Sequence, residues 1–137
     1  MLTIGIPKET TERETRVALS PTITKQLIAK GFKIYFESGA GENCCFSDND
    51  YSESGAEITD LKNIYQCDLI VKINPPNVKE ISMMKKGLTL ISLLFAHSNT
   101  SIVTQLAEKQ ISVLSLDSIP RTSLAQSMDV LSSQANL

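Results

Sequence analysis

The sequence predicts an α/β fold: an open, mostly parallel sheet with helices flanking it. Two observations carry this. Short apolar, β-branched stretches alternate with segments of helical period along the chain, the mark of a sheet whose strands are joined by crossover helices. The intervening segments are rich in Gly, Pro, Asn, Ser or charge, and neither an internal repeat nor a low-complexity tract interrupts them. Residues 1–137 therefore read as one βα-rich unit, long enough to bury a core without disulfide staples.

Taken in order, the strands are expected at residues 3–6, 33–36, 69–73, 89–93 and 112–115, with a weaker one near Glu57. Helices are expected at 21–30, 48–54, 77–84 and 101–109. The first helix is the best bounded. Ser20 is an N-cap residue followed by Pro21 at the first helical position, and Gly31 closes the far end. Asn99-Thr100-Ser101 is expected to cap the helix after the fourth main strand in the same way.

Composition excludes several classes of function. A net charge of −2 and a pI of about 5.4, with lysines scattered along the chain, give no basic field for nucleic acid. The longest apolar run, Leu88 to Ala96, is strand-sized and far short of a membrane span. Met1-Leu2-Thr3-Ile4-Gly5-Ile6-Pro7 has no signal-peptide character, so the expected compartment is cytoplasmic. Cys44, Cys45 and Cys67 are an odd set without CxxC spacing, and one histidine is too few for a zinc site. All three cysteines are expected to be reduced packing or surface residues, and no metal is expected.

In open α/β sheets ligands sit beyond the carboxyl ends of the strands. The first such loop runs from Pro7 to Leu19, where Arg16 could clamp a carboxylate or pair with Glu14 or Glu9; the structural ion pair is favoured. Glu37-Ser38-Gly39-Ala40-Gly41-Glu42 holds a GxG, but a dinucleotide fingerprint needs a third glycine opening a helix after the first strand. It reads as a tight, acidic loop. In Lys72-Ile73-Asn74-Pro75-Pro76 the diproline stiffens the strand exit, leaving Asn74 either to donate to a ligand or to cap the helix near Asn77. His97 is the sole side chain suited to proton transfer near neutral pH; with no carboxylate beside it, a loop or capping role is favoured. No GxSxG, HExxH, Walker A or EF-hand pattern is present.

The run from Pro120 to Leu137 is the densest in polar chemistry. A helix beginning near Ser123 would align Gln126, Asp129 and Ser133 along one edge and Leu124, Met128 and Leu131 along another. The pattern runs to Leu137 without a capping signal, so the chain is expected to stop inside a helix. Spacing alone leaves open whether the polar edge is a site or a solvated face.

Ile4-Gly5-Ile6-Pro7-Lys8-Glu9, Glu14-Thr15-Arg16-Val17-Ala18-Leu19-Ser20-Pro21, Glu37-Ser38-Gly39-Ala40-Gly41, Lys72-Ile73-Asn74-Pro75-Pro76 and the segment from Arg121 to Asn136 together resemble the N-terminal domain shared by alanine dehydrogenase and the proton-translocating NAD(P) transhydrogenase alpha subunit. Ala125-Gln126-Ser127-Met128-Asp129-Val130-Leu131-Ser132-Ser133-Gln134-Ala135-Asn136 is similar to transhydrogenase in particular. Where the dehydrogenase branch carries a second lysine that holds the substrate carbonyl, this chain has Asn74; where that branch carries a catalytic histidine, it has Phe95, with His97 two positions on.

The resemblance implies a Rossmann-like or flavodoxin-like first lobe without the glycine fingerprint, which would belong to a second lobe later in the intact protein. It implies hydride transfer between NADH and NADP+, with NAD(H) in the cleft between the lobes and none bound to this chain alone. Arg121, Gln126 and Asp129 would be the catalytic residues and, with Ser132, the cofactor-binding ones. The amide and hydroxyl would read the carboxamide, and Arg121 with Asp129 would orient the ring. Implied partners are the C-terminal NAD-binding lobe, the NADP-binding and membrane components, and a second copy in a homodimer at the cytoplasmic face of the inner membrane. This chain by itself would be inactive. Two other readings are an alanine-dehydrogenase-like oxidoreductase lobe and a non-catalytic binding or dimerisation module.

Overall fold

The computed structural model describes residues 2–11 and 14–118. Six strands, β1 (Thr3–Ile6), β2 (Lys33–Glu37), β3 (Glu57–Thr59), β4 (Leu69–Val71), β5 (Thr89–Ser92) and β6 (Ser112–Ser115), form one sheet in the order β3-β2-β1-β4-β5-β6. Every neighbouring pair is parallel, so the expected "mostly parallel" sheet is wholly parallel among the described residues. This is the Rossmann order and not the flavodoxin one, whose third strand follows directly on its first. The weak strand near Glu57 is real: β3 is an edge strand whose Glu57, Ile58 and Thr59 pair with Tyr35, Phe36 and Glu37.

Five helices connect the strands: α1 (Pro21–Ala29), α2 (Asp48–Glu53), α3 (Leu61–Ile64), α4 (Val78–Met83) and α5 (Thr100–Glu108). Ser20 caps α1 as expected, its hydroxyl accepting the Ile23 N–H at 3.3 Å, and Gly31 follows with φ of +105°, a conformation that glycine adopts without a Cβ penalty. Asn77 and Glu80 form a reciprocal capping box on α4, and Ser47 and Asp50 do so on α2. The four-residue α3 was not expected, because one turn is too short to leave a periodic signature; its cap, Asp60 accepting from Asn63 N–H at 3.0 Å, was its only signal. Asn99 corrects another expectation. It stands at the N-cap position of α5, but its side chain donates to the carbonyls of Leu94 (3.0 Å) and Phe95 (3.4 Å) and makes no cap bond.

Alternation along the strands divides the core between two faces. On the first, Ile4, Ile6, Ile34, Phe36 and Leu69 pack with Tyr51 of α2 and Leu27 and Ile28 of α1. On the second, Ile70, Leu88 and Leu90 pack with Ile64 of α3, Ile81 of α4 and Leu106 of α5. Gly5 sits where α3 meets β1, since a Cβ there would lie 2.8 Å from the Ile64 carbonyl oxygen. Among the described residues, no helix is long and apolar enough to cross a membrane.

Candidate functional site

Strand β1 lies between β2 and β4, and the sheet's connections change direction there. A crevice between the loops after β1 and β4 is where ligands of such sheets bind. The fourth strand stops short of its expected end, at Val71 and not residue 73, for a reason that builds this crevice. The N–H groups of Ile73 and Asn74 turn from the ladder and donate to Glu9 of the first loop, at 2.8 and 3.0 Å.

Glu9 is thus the hub of the edge. Its carboxylate also receives Lys72 Nζ at 3.4 Å and Asn74 Nδ2 at 3.4 Å, while Lys72 Nζ donates to the Asn74 carbonyl at 2.6 Å. Both charged side chains are buried, at 1% and 2% exposure. In that setting each charge needs its partner, and the backbone donors supply the remaining compensation. Asn74 therefore does not cap the helix, which corrects that alternative: Asn77 does the capping, and the half-buried Asn74 amide reaches Glu9.

Arg16 meets Glu14 as favoured. Its Nε donates to Glu14 Oε1 at 2.7 Å and its second guanidinium nitrogen to Oε2 at 3.1 Å, a two-pronged pair. The hydrogen bond from Arg16 holds the Glu14 carboxyl well below its ordinary range, at about 2. Arg16 also borders a cavity of about 550 Å³ whose walls include Leu19, Lys72, Ile73 and Leu93.

The glycine loop is closed on itself. Gly39 N–H and Ser38 Oγ each donate to the Asp48 carboxylate at 2.8 Å, and the Lys8 N–H donates to Glu37 at 2.7 Å. Burial raises the Glu37 pKa, and the Gly39 N–H that a phosphate cradle would need is already taken by Asp48. The arrangement does not fit a dinucleotide's pyrophosphate. Beside it, the Cys44 thiol donates to the Thr15 carbonyl at 2.6 Å, and all three cysteines are free.

At the exit of β5, the Leu94 and Phe95 N–H groups both donate to Asp117, at 2.7 and 3.0 Å, and Ser115 Oγ donates to the same carboxylate at 2.6 Å. These donors, the Ser115 hydroxyl foremost, lower the Asp117 pKa. Phe95 has φ of +50° and is 47% exposed. For a bulky residue this is a strained conformation that the two flanking strands must enforce. His97 lies in the following turn and is exposed, away from Glu9 and Lys72 in chain and burial alike.

Sequence reasoning named Lys72, Asn74 and Glu9 without joining them. The signal was present: a lysine inside the apolar run Leu69-Ile70-Val71-Lys72-Ile73 must be buried and so requires an acid. Asp117 and the buried Tyr65–Glu80 hydrogen bond of 2.6 Å were also missed, being contacts between distant segments with no local pattern. Arg121, Gln126, Asp129 and Ser132 lie outside the described residues.

Comparison with known proteins gives a consistent answer. Residues 5–137 match the family model described as "Alanine dehydrogenase/PNT, N-terminal domain". The NAD(P) transhydrogenase subunit alpha of Haemophilus influenzae is 40% identical over 98% of this chain and 26% of its own length. The protein of the same name from Cereibacter sphaeroides is 37% identical, again over 98% of this chain and 26% of its own length. The alanine dehydrogenase of Bacillus subtilis is 32% identical over 85% of the chain and 31% of its own length. Among solved structures, a transhydrogenase from Sinorhizobium meliloti superposes with a TM-score of 0.86 and 32% identity, over 96% of this chain and 40% of that one. The chain therefore spans between about a quarter and two fifths of the length of these relatives. With the family model covering nearly all of it, the chain belongs to the alanine dehydrogenase/PNT N-terminal domain family.

Proposed function

We propose that this chain is the first lobe of the NAD(H)-binding component of a proton-translocating NAD(P) transhydrogenase, and that it positions the nicotinamide end of the nucleotide. The carrying observation is the chemistry of the carboxyl edge. Its buried charges are mutually neutralised by Glu9, Lys72 and backbone donors, and the sole histidine of the chain stands exposed on a turn. Such an edge orients: among the described residues its buried charges are held in place by one another, and the histidine is turned outward. The nicotinamide ring, when bound, supplies or accepts the hydride, a step that needs ring proximity and exclusion of water and no protein proton.

On this reading Gln126 and Ser132 read the carboxamide, and Arg121 with Asp129 fixes the ring's orientation. The phosphates rest on a second lobe, because the Gly39 loop offers no cradle. The partners are that lobe, the NADP-binding and membrane components and a second copy of the protein, at the cytoplasmic face of the membrane. The chain alone is catalytically silent. The alanine-dehydrogenase reading is less favoured because Asn74 and Phe95 replace the carbonyl-binding lysine and catalytic histidine expected of that branch. A longer protein carrying the second lobe decides between them: it should reduce an NADP+ analogue from NADH once the other components are supplied. Robust NADH-dependent amination of pyruvate would overturn the proposal.

A further inference from the structure

Among the described residues, three that are not glycine have positive φ: Cys45 at +64°, Gln110 at +59° and Phe95 at +50°. Two of them end helices, where the left-handed conformation is a common terminator. Gln110 follows the C-cap of α5, and Cys45 closes the 3-10 turn of Glu42–Cys44. Phe95 instead follows a strand, β5, and brings an aromatic side chain into a region where bulky residues are strained.

The surroundings hold that conformation from both sides of the chain. Asp117 accepts the N–H groups of Leu94 and Phe95, and Asn99 Nδ2 donates to the carbonyls of the same two residues. The Phe95 carbonyl also accepts the Ser98 N–H at 2.9 Å, and the Ser115 hydroxyl steadies Asp117. Strain persists where neighbours over-determine it in this way, and such places cluster at ligand sites. If only a turn were needed here, glycine or asparagine would enter it at less cost. What the clamp fixes in space is the ring, which among the described residues joins neither core of the sheet.

The ring's base belongs to the same carboxyl edge as the Glu9 crevice. Glu9 holds the Ile73 N–H, the Ile73 carbonyl accepts the Leu93 N–H at 2.9 Å, and Phe95 comes two residues later. Beyond this edge is where parallel sheets of this kind bind their ligands.

We propose that Phe95 is a contact residue for the nicotinamide ring, packing against that planar heteroaromatic at the position set by Asp117 and Asn99 and keeping water from the hydride's path. Aromatic rings meet in offset-stacked or edge-to-face arrangements, so the contact carries direction as well as area. Hydride transfer responds to such placement because it depends on the approach of the rings. The inference rests on the transhydrogenase reading of this lobe.

The test has two arms. In the 137-residue chain, Phe95→Gly should melt above Phe95→Ala, since both lose the ring and only alanine keeps the strained Cβ. In the longer protein, with the other components supplied, both variants should slow single-turnover hydride transfer from NADH to an NADP+ analogue by about tenfold or more, with NADH binding changed by less than about threefold. Phe95→Tyr should keep most of the rate. A merely structural role would instead make the rate follow the melting temperature, with glycine ahead of alanine, and that outcome overturns the proposal. So does unchanged transfer in Phe95→Gly, a loss that tyrosine does not rescue, or a loss confined to NADH binding. Phe95→Ala melting at or above Phe95→Gly would remove the strain and overturn it too. If the unsubstituted longer protein transfers no hydride, the transhydrogenase reading falls and the proposal with it; transfer that is normal in every variant removes the role of Phe95 alone.

Discussion

Glu9 and Lys72, 63 positions apart, meet at 3.4 Å with both side chains almost wholly buried. The same carboxylate holds the N–H groups of Ile73 and Asn74, so one side chain fixes the exit of β4 against the loop after β1. Removing one partner of a buried pair leaves an uncompensated charge. Lys72→Met should therefore cost roughly 3–5 kcal/mol in urea unfolding. The double variant Glu9→Gln, Lys72→Met should cost less than the sum of the single ones, since Gln can be neutral in the same space. Additive losses would mean that the pair is not coupled.

Gly5 tests the packing of the sheet centre. A methyl group there would meet the Ile64 carbonyl oxygen at 2.8 Å and the Ile70 side chain at 3.0 Å. The obstacle is backbone, which cannot swing aside, so Gly5→Ala should destabilise by about 1–3 kcal/mol. Gly87→Ala meets nothing within 4 Å but sits at φ of +84°, and its loss should come from backbone strain alone. An unchanged melting temperature in Gly5→Ala would show that α3 can retreat from β1.

Arg16 and Glu14 make a prediction in pH. The folded carboxyl titrates at about 2 against an ordinary 4.5, chiefly because Arg16 donates to it. A depressed acid stabilises the fold fully above its unfolded pKa and loses that contribution as pH falls from about 4.5 through about 2. In Arg16→Ala the Glu14 side-chain carbon resonance should titrate nearer 4.5, with a smaller residual shift from Asn74. A midpoint that stays near 2 would show that Arg16 is not the cause.

Asp117 ties the exit of β5 to the end of β6 through the N–H groups of Leu94 and Phe95. Replacing it with alanine removes both acceptors and the partner of the Ser115 hydroxyl. Amide exchange at Leu94 and Phe95 should accelerate by roughly tenfold, about the loss of one hydrogen bond to a charged group. Amides of β1 should be unaffected. Unchanged exchange at Leu94 and Phe95 would place their protection elsewhere.

The sequence made the elements legible because they are written locally. Ser20-Pro21 and Gly31 bound α1 correctly, and a short apolar, β-branched stretch around Leu90-Ile91 marked β5. What it could not reveal was pairing across distance. Nothing near Glu9 says that its partner lies beyond sixty residues, and nothing near Leu94 points to Asp117. The capping alternative for Asn74 failed for the same reason: its local setting suggests a cap, while its side chain reaches a partner in another loop. The strand order, too, is a property of the assembled sheet, and it alone separates a Rossmann arrangement from a flavodoxin one.

The central claim is that this lobe positions a nicotinamide ring for hydride transfer without acid–base chemistry. Its most direct test is single-turnover hydride transfer in the longer protein carrying Asp129→Asn, measured beside its equilibrium binding of NADH. The account predicts a transfer rate reduced by about tenfold or more with binding changed by less than about threefold, the pattern of an interaction made in the reacting geometry. An unchanged transfer rate, or a loss confined to binding, would contradict it.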